Sequence, residues 1–276
     1  RACQVASDVL QSVIDHVRPG VTTIELDEYA AGQIRQRGAR SAFLGYKKFP
    51  RHTCVSVNDE VVHGVAGQRS LAFGDIVSVD VGVFFEGFVG DVARTVPVGG
   101  CGVPAQRLMD VTAQALQAGI AQARAGRRVA DISRAVQQFV ESQGCSVVRE
   151  FVGHGVGRSI HEDPQVPNFV DGKSSPKLRA GMIIAIEPMV NAGGASIREL
   201  NDDGWTVVTQ DGSLSAHFEH TVLITEGAGD FDMRTDAFRV EGRVIEVLPK
   251  GTWRVELANG HRLLVWRGRT NWNFPG

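Results

Sequence analysis

The chain has 276 residues, 43% hydrophobic and 22% charged, with a formal net charge of -2. It is large enough to bury a core without covalent staples, and its near-balanced charge argues against nucleic acid as the main partner of the whole chain. Cys3, Cys54, Cys101 and Cys145 lie far apart with no C-x-x-C pair, no apolar run approaches the ~20 residues that span a bilayer, and no charged-then-apolar leader opens the chain at Arg1. A protein of a reducing cytoplasm with no membrane partner is expected.

Val5, Val9, Val13 and Val17 recur at helical spacing, which predicts an amphipathic helix over 2–17, stopped by Pro19-Gly20. A second helix runs from about Thr23 to Arg37 and ends at Gly38. Strand-like segments follow in "TCVSVND" and "IVSVDVGVFFEGFVGDVARTVPV". Two more helices are predicted over 104–124 and 129–143, and then strands in "CSVVREFV", "MIIAIEPMV", "WTVVTQD" and "SAHFEHTVLIT". Residues 228–236 have the composition of a linker. Residues 237–276 alternate apolar and polar residues about turns at Pro249-Lys250-Gly251 and Asn259-Gly260, a meander of three strands.

The order helix, helix, strands occurs twice, and the two halves align. "LAFGDIVSVD" (71–80) overlays "LRAGMIIAIE" (178–187), matching Gly74 with Gly181 and Asp80 with Glu187. "VRPGVTTIELDEYAAGQIRQRG" matches "ARAGRRVADISRAVQQFVESQG", and "DVARTVPVG" from Asp91 matches "EHTVLITEG" from Glu219. Three matches in one order predict a duplicated, pseudo-twofold α+β domain over 1–227 with its strand-borne acids near the axis.

A two-residue turn at Glu86-Gly87 would set Asp80 opposite Ala93 and bring Asp91 onto the same face, with the acids' Cβ atoms within ~7–8 Å. Asp91 alone reads more readily as a solvated strand residue. Asp80 and Glu187, embedded in apolar strands, do not, because a buried carboxylate needs a cation or several donors. In "EFVGHGVGRSIHED", His154 and His161 fit neither a phosphate loop, a dinucleotide fingerprint, a His-Glu-x-x-His helix nor a serine elbow, so they need partners from elsewhere in the chain. Were Asp80, Asp91, Glu187 and Glu219 to converge, they would require bound cations. One histidine among four carboxylates suits two divalent ions of the Mn, Fe, Co or Zn type, ~3.5–4 Å apart and bridged by one hydroxide.

The stretches "NDEVVHG", "SVDVG", "GDVART", "GHGVGRSIHEDP", "IEPMV" and "EHT" make residues 2–227 resemble the bacterial-type (type I) methionine aminopeptidases, of pita-bread fold. The resemblance implies metal ligands at Asp80, Asp91, His154, Glu187 and Glu219, and a dinuclear peptidase that removes the initiator methionine, followed by a small residue, from nascent polypeptides near the ribosome. His63 and His161 match the histidines that contact substrate and the tetrahedral intermediate. Glu187 would also pass a proton to the leaving amine, and the glycines flanking His154 would let backbone approach metal and substrate. The methionine pocket maps to Phe43, Tyr46, Phe49, Cys54 and Trp205, an apolar, polarizable lining; relatives often carry cysteine and tyrosine where this chain has Phe43 and Phe49.

His52, His217 and His220 are expected to be ordinary satisfied or solvated histidines. Arg1 implies that the opening residues usual in the family are missing. "FRVEGRVIEVLPKGTWRVELANGHRLL" resembles the start of the smallest bacterial translation initiation factor, an OB-fold RNA binder, though three strands are too few for its barrel and the resemblance stops near Trp266. A monomer with weak RNA binding by the tail is the corresponding expectation. The alternatives are an Xaa-Pro-type aminopeptidase on the same fold, which normally carries a further N-terminal domain, and a non-catalytic binding protein, which would lack ligands.

Overall fold

A computed structural model describes residues 1–170, 172, 175–200 and 202–226, and the backbone of three tail strands at 242–248, 252–257 and 262–266. Two helices open each half of the first unit: α1 (Ala2–Ile14) and α2 (Thr23–Gln36), then α3 (Val103–Ile120) and α4 (Val129–Ser142). α2 starts where Thr22 caps it. The Glu25 carboxylate accepts the Thr22 N–H at 2.7 Å, and the Glu25 N–H donates to the Thr22 hydroxyl at 3.3 Å. At the matching place in the second half, the Asp131 carboxylate accepts the Arg128 N–H at 2.9 Å and starts α4.

The duplication extends to single hydrogen bonds. Gly20 N–H donates to the Leu71 carbonyl and Leu71 N–H to that of Val21, both at 2.8 Å. Gly126 N–H donates to the Leu178 carbonyl at 3.0 Å and Leu178 N–H to that of Arg127 at 2.8 Å. Gly74 (φ 98°) and Gly181 (φ 88°) turn the chain into each half's strands in the left-handed region that glycine adopts without a Cβ clash.

In chain order the strands are β1 (Arg40–Ser41), β2 (Cys54–Val57), β3 (Glu60–Val62), β4 (Ile76–Phe85), β5 (Phe88–Pro97), β6 (Ser146–Val147), β7 (Gly153–Gly155), β8 (Glu162–Val166), β9 (Ile183–Ile186), β10 (Met189–Asn191), β11 (Ile197–Glu199), β12 (Val207–Thr209), β13 (Ser215–His217) and β14 (Glu219–Leu223). The large sheet runs β1-β4-β5-β14-β9-β7-β8, with β2 also paired to β4. β5 and β14 are neighbours, so β4-β5 meets β14-β9 across the line relating the two halves. Two smaller sheets, β13-β10-β6 and β11-β12-β3, flank it.

Alternation along these strands separates core from site. Val77, Val79, Val81 and Val83 of β4 and Val92 and Val96 of β5 pack with α1 and α2, while Ile184 and Ile186 of β9 pack with α3 and α4. The intervening residues Asp80, Asp91, Ala93 and Ala185 therefore point to the opposite face. A one-residue slip would expose every one of those valines, each worth roughly 1.5–3 kcal/mol when buried, so the apolar face locks the register that the acids need.

Several boundaries differ from the sequence expectation. α1 stops at Ile14 rather than Val17, and α3 at Ile120. "MIIAIEPMV" is not one strand but β9 and β10 in two different sheets, broken at Glu187-Pro188, where proline has no N–H for a ladder. "SAHFEHTVLIT" likewise splits at Phe218 into β13 and β14.

The second unit contains β15 (Gly242–Leu248), β16 (Thr252–Leu257) and β17 (Arg262–Trp266), an antiparallel meander in that order. The expected linker and both expected turns lie outside the described residues.

Candidate active site

β4 and β5 are joined by a two-residue turn in which Glu86 (φ 51°) and Gly87 (φ 82°) both take positive φ, the geometry that matches strand twist in tight hairpins. The register that follows pairs Asp80 with Ala93 and Gly82 with Asp91, as the sequence predicts. Ala93 in turn faces Glu219 on β14, so Asp80, Ala93 and Glu219 form one row across three strands, with Asp91 on the same face. The pairing of β14 with β9 runs to His220↔Ile186, and extended by one residue it sets Glu187 across from Glu219. Gly155 pairs with Ile184, which puts His154 beside Ala185 on that face too. Thus the five proposed ligands come from five strands or strand ends and share one face.

One ligand atom each of Asp91, His154 and Glu219 lie within 4.8 Å of one another. His154 Nε2 is 3.4 Å from Glu187 Oε1 and 3.8 Å from Asp91 Oδ2. The His154 Nδ1 lies 2.9 Å from the Gly155 carbonyl, which can only accept, so Nδ1 carries the proton and the Nε2 lone pair faces the carboxylates. Acceptors aimed at acceptors need a cation between them. Asp80 Oδ1, Asp91 Oδ1 and Glu219 Oε1 are buried with no hydrogen-bond partner, whereas buried polar atoms are normally paired. Burial first, and then the neighbouring carboxylates, push Asp80, Asp91 and Glu219 well above the usual carboxylate range. The residues present thus suit divalent cations with oxygen and imidazole ligands.

The chain around the acids is clamped at its backbone. Thr221 Oγ1 donates to the Asp91 carbonyl at 2.8 Å and accepts the Asp91 N–H at 3.2 Å, and Asn168 Nδ2 donates to the Glu187 carbonyl at 3.0 Å. These contacts depend on strand register, and no local motif announces them. A Cβ on Gly153 or Gly155 would strike the carbonyls of Ala185 and Asp163, so both positions admit the close approach of neighbouring backbone from β9 and β8.

His161 ends a turn in which Glu162 Oε1 accepts the N–H groups of Arg158 and Ser159, each at 2.8 Å. Its ring lies 4.3 Å from that of His154 and 5.2 Å from that of Tyr46, and its Nδ1 is 2.9 Å from the Tyr46 hydroxyl. Desolvation by the surrounding groups, then His154, pulls His161 down to about 4, although its outer edge meets solvent. His63 sits at φ 58°, a conformation costly for a non-glycine residue, and the next position must be glycine because a Cβ on Gly64 would meet the backbone of Val55 and Ser56. Its ring packs edge-on to Phe151 at 5.1 Å and Trp205 at 6.3 Å, and burial lowers it to about 4.

Phe43, Tyr46, Phe49, Cys54 and Trp205 fall into one apolar cluster with Val65, Val156 and Ile160. Cys54 pairs with Asp80, which sets the cluster against the acids. The Asp27 carboxylate on α2 fastens its floor, accepting from the N–H of His52, the N–H of Thr53 and the Thr53 hydroxyl at 2.8–2.9 Å. Phe49 meets Trp205 edge-on at 5.1 Å. His217 departs from the sequence expectation: it is neither solvated nor satisfied, being buried with its Nε2 unpaired.

The sequence profile of metallopeptidase family M24 matches residues 1–226. A methionine aminopeptidase of Clostridium perfringens is 50% identical over 224 residues, covering 81% of this chain and 90% of that protein. A crystal structure of methionine aminopeptidase from Rickettsia prowazekii superposes with a TM-score of 0.80 at 40% identity, covering 82% of this chain and 92% of that one. An Xaa-Pro dipeptidase from Bacillus anthracis, at 22% identity and TM-score 0.66 over 82% of this chain and 56% of its own, shares the fold alone. With the ligand-bearing face and its pocket in place, these likenesses assign the chain to metallopeptidase family M24, within its bacterial-type methionine aminopeptidases.

Proposed function

We propose that this enzyme removes the initiator methionine from nascent polypeptides in the cytoplasm, with Asp80, Asp91, His154, Glu187 and Glu219 holding two divalent ions. The observation that carries the reading is the set of buried acceptors with no donor, Asp80 Oδ1, Asp91 Oδ1 and Glu219 Oε1, ranged on one face with the lone pair of His154. Bound there, Co, Mn, Fe or Zn would supply a nucleophile at neutral pH and positive charge against the developing oxyanion.

The chain's own groups do the rest. Tyr46 donates its O–H to Nδ1 of His161, which leaves Nε2–H as a donor to the oxyanion, and neutral His63 orients the peptide from the other side. Glu187 takes on its carboxylate the proton that the attacking water loses and delivers it to the leaving amine. Phe43, Phe49, Cys54 and Trp205, with the Tyr46 ring, enclose the methionine side chain and exclude water from it.

Residues 1–227 form the catalytic domain and 228–236 a linker in this reading. The tail 237–276, with seven Lys/Arg against three Asp/Glu, is an incomplete OB-like segment that touches RNA phosphates weakly and brings the monomer near the ribosome. Assaying Met-Ala and Ala-Pro peptides across defined metals tests the central claim. Cleavage of the first after methionine is expected, and preference for the second would overturn it.

A further inference from the structure

His217 is a buried titratable side chain that none of the steps above uses. Its backbone is held twice: the N–H donates to Thr95 Oγ1 at 2.8 Å, and the carbonyl accepts from that hydroxyl at 2.9 Å. β13 also pairs His217 with Met189 on β10, two residues beyond Glu187. The ring is therefore placed by the sheet and not by solvent; the side chain is 3% exposed. Its Nε2 makes no hydrogen bond and lies 3.6 Å from Glu187 Oε2. The other oxygen of the same carboxylate, Oε1, faces His154 Nε2 at 3.4 Å, and Asn168 holds the Glu187 carbonyl.

We infer that His217 is a positioning residue for Glu187: its Nε2–H donates to Oε2 and fixes the rotation of the carboxylate, so that Oε1 is presented to the ligand face beside His154. The inference rests on Glu187 being a ligand. A small rotation that brings Nε2 within about 3.2 Å completes the bond. It satisfies the one buried nitrogen among the unpaired atoms and makes the two oxygens of Glu187 inequivalent, one tied to the protein and one free toward the cations. Contacts of this kind behind a ligand typically change metal affinity by ~10–100-fold when removed.

The test is Mn2+ binding by calorimetry to the full chain, with the far-UV spectrum of each metal-free variant as a check on folding. His217→Leu should weaken Mn2+ binding ~10–100-fold. His217→Gln, whose amide nitrogen reaches about where Nε2 lies, should restore most of it, while the shorter amide of His217→Asn should not. Should the leucine variant fail to fold, the Gln–Asn comparison decides, and equal affinities in those two would overturn the proposal. Wild-type affinity in His217→Leu, or equal losses in His217→Leu and His217→Gln, would also overturn it. Glu187→Gln separates the layers: loss of Mn2+ there with none in His217→Leu refutes this inference alone, whereas no loss in Glu187→Gln refutes the ligand assignment as well.

Discussion

Asp80 and Glu219 face each other across Ala93, at the two ends of a row that spans β4, β5 and β14, and each carries a buried oxygen with no hydrogen-bond partner. Ionised together, two such groups are tolerated only if something positive sits between the strands. Chelation should abolish peptide cleavage, and Glu219→Ala should lower both the metal content and the rate. Since only the folded state has the site, metal at 100 times its dissociation constant should stabilise the protein by about 2.7 kcal/mol, read as a rise in Tm. Full activity of the chelated enzyme would refute the metal assignment.

The same burial sets the sign of a pH dependence. Asp80, Asp91 and Glu219 are all raised in the folded state, so the metal-free folded chain holds more protons than the unfolded one, and its stability falls as pH rises from the ordinary carboxylate range toward the raised values. His63 and His161, lowered from 6.5 to about 4, change stability in the opposite direction but only below about 6.5. Above about 6.5 these histidines no longer contribute, and the Tm of the chelated protein should drop as pH rises further. Excess Mn2+ should remove the drop and release protons, visible as a buffer-dependent binding enthalpy. A Tm rising with pH in the metal-free protein would contradict the burial of these acids.

Roles within the site divide by readout. His161→Ala should lower kcat by ~10²–10³ while metal content stays at the wild-type level, since in the proposed arrangement His161 stands beside the ligand His154 without holding an ion itself. Tyr46→Phe removes only the hydroxyl that meets His161 Nδ1 at 2.9 Å and keeps the ring. It should lower kcat by less than His161→Ala, with KM for a methionyl peptide little changed. Loss of metal from His161→Ala would make His161 a ligand.

How far these features can be read from the sequence depends on the kind of contact. The Asp80↔Ala93 register is legible because Glu86-Gly87 specifies a two-residue turn and the alternating valines permit one face only. The duplication is legible because Gly74 and Gly181, and Asp80 and Glu187, recur in identical order. The break at Glu187-Pro188 is not, since an apolar run with one proline reads the same whether its halves share a sheet or part into two. His217 shows the same limit: in "SAHFEHT" nothing separates it from His220, yet the split at Phe218 sends one into β13 against Glu187 and the other into β14. Long-range pairing decides such cases, and a periodicity count contains none of it.

Specificity should follow from the site's confinement. The carbonyl of the methionine being cleaved must reach a face already crowded by His63, His154 and His161, so a bulky side chain on the next residue has little room beside them. Met-Ala peptides should be cleaved well above Met-Arg peptides, chiefly through kcat/KM. Equal rates on the two would contradict this, and would point to an entrance wider than the packing of Tyr46 on His161 implies.

The tail should be dispensable for cleavage. All five proposed ligands and every pocket residue lie in the first compact unit, Arg1–Gly229, and none in Asp230–Gly276. Three short strands make a sheet too small to be stable by itself, so they have small means of their own to shape a catalytic site. Truncation after Gly229 should leave kcat/KM on Met-Ala peptides within about a factor of two, an energy below ~0.5 kcal/mol. If the tail's excess of Lys/Arg serves ribosomal RNA instead, the truncated chain should lose salt-sensitive RNA retention while cleaving free peptides at the full rate. A tenfold loss on peptides would show that residues beyond Gly229 support the catalytic unit directly.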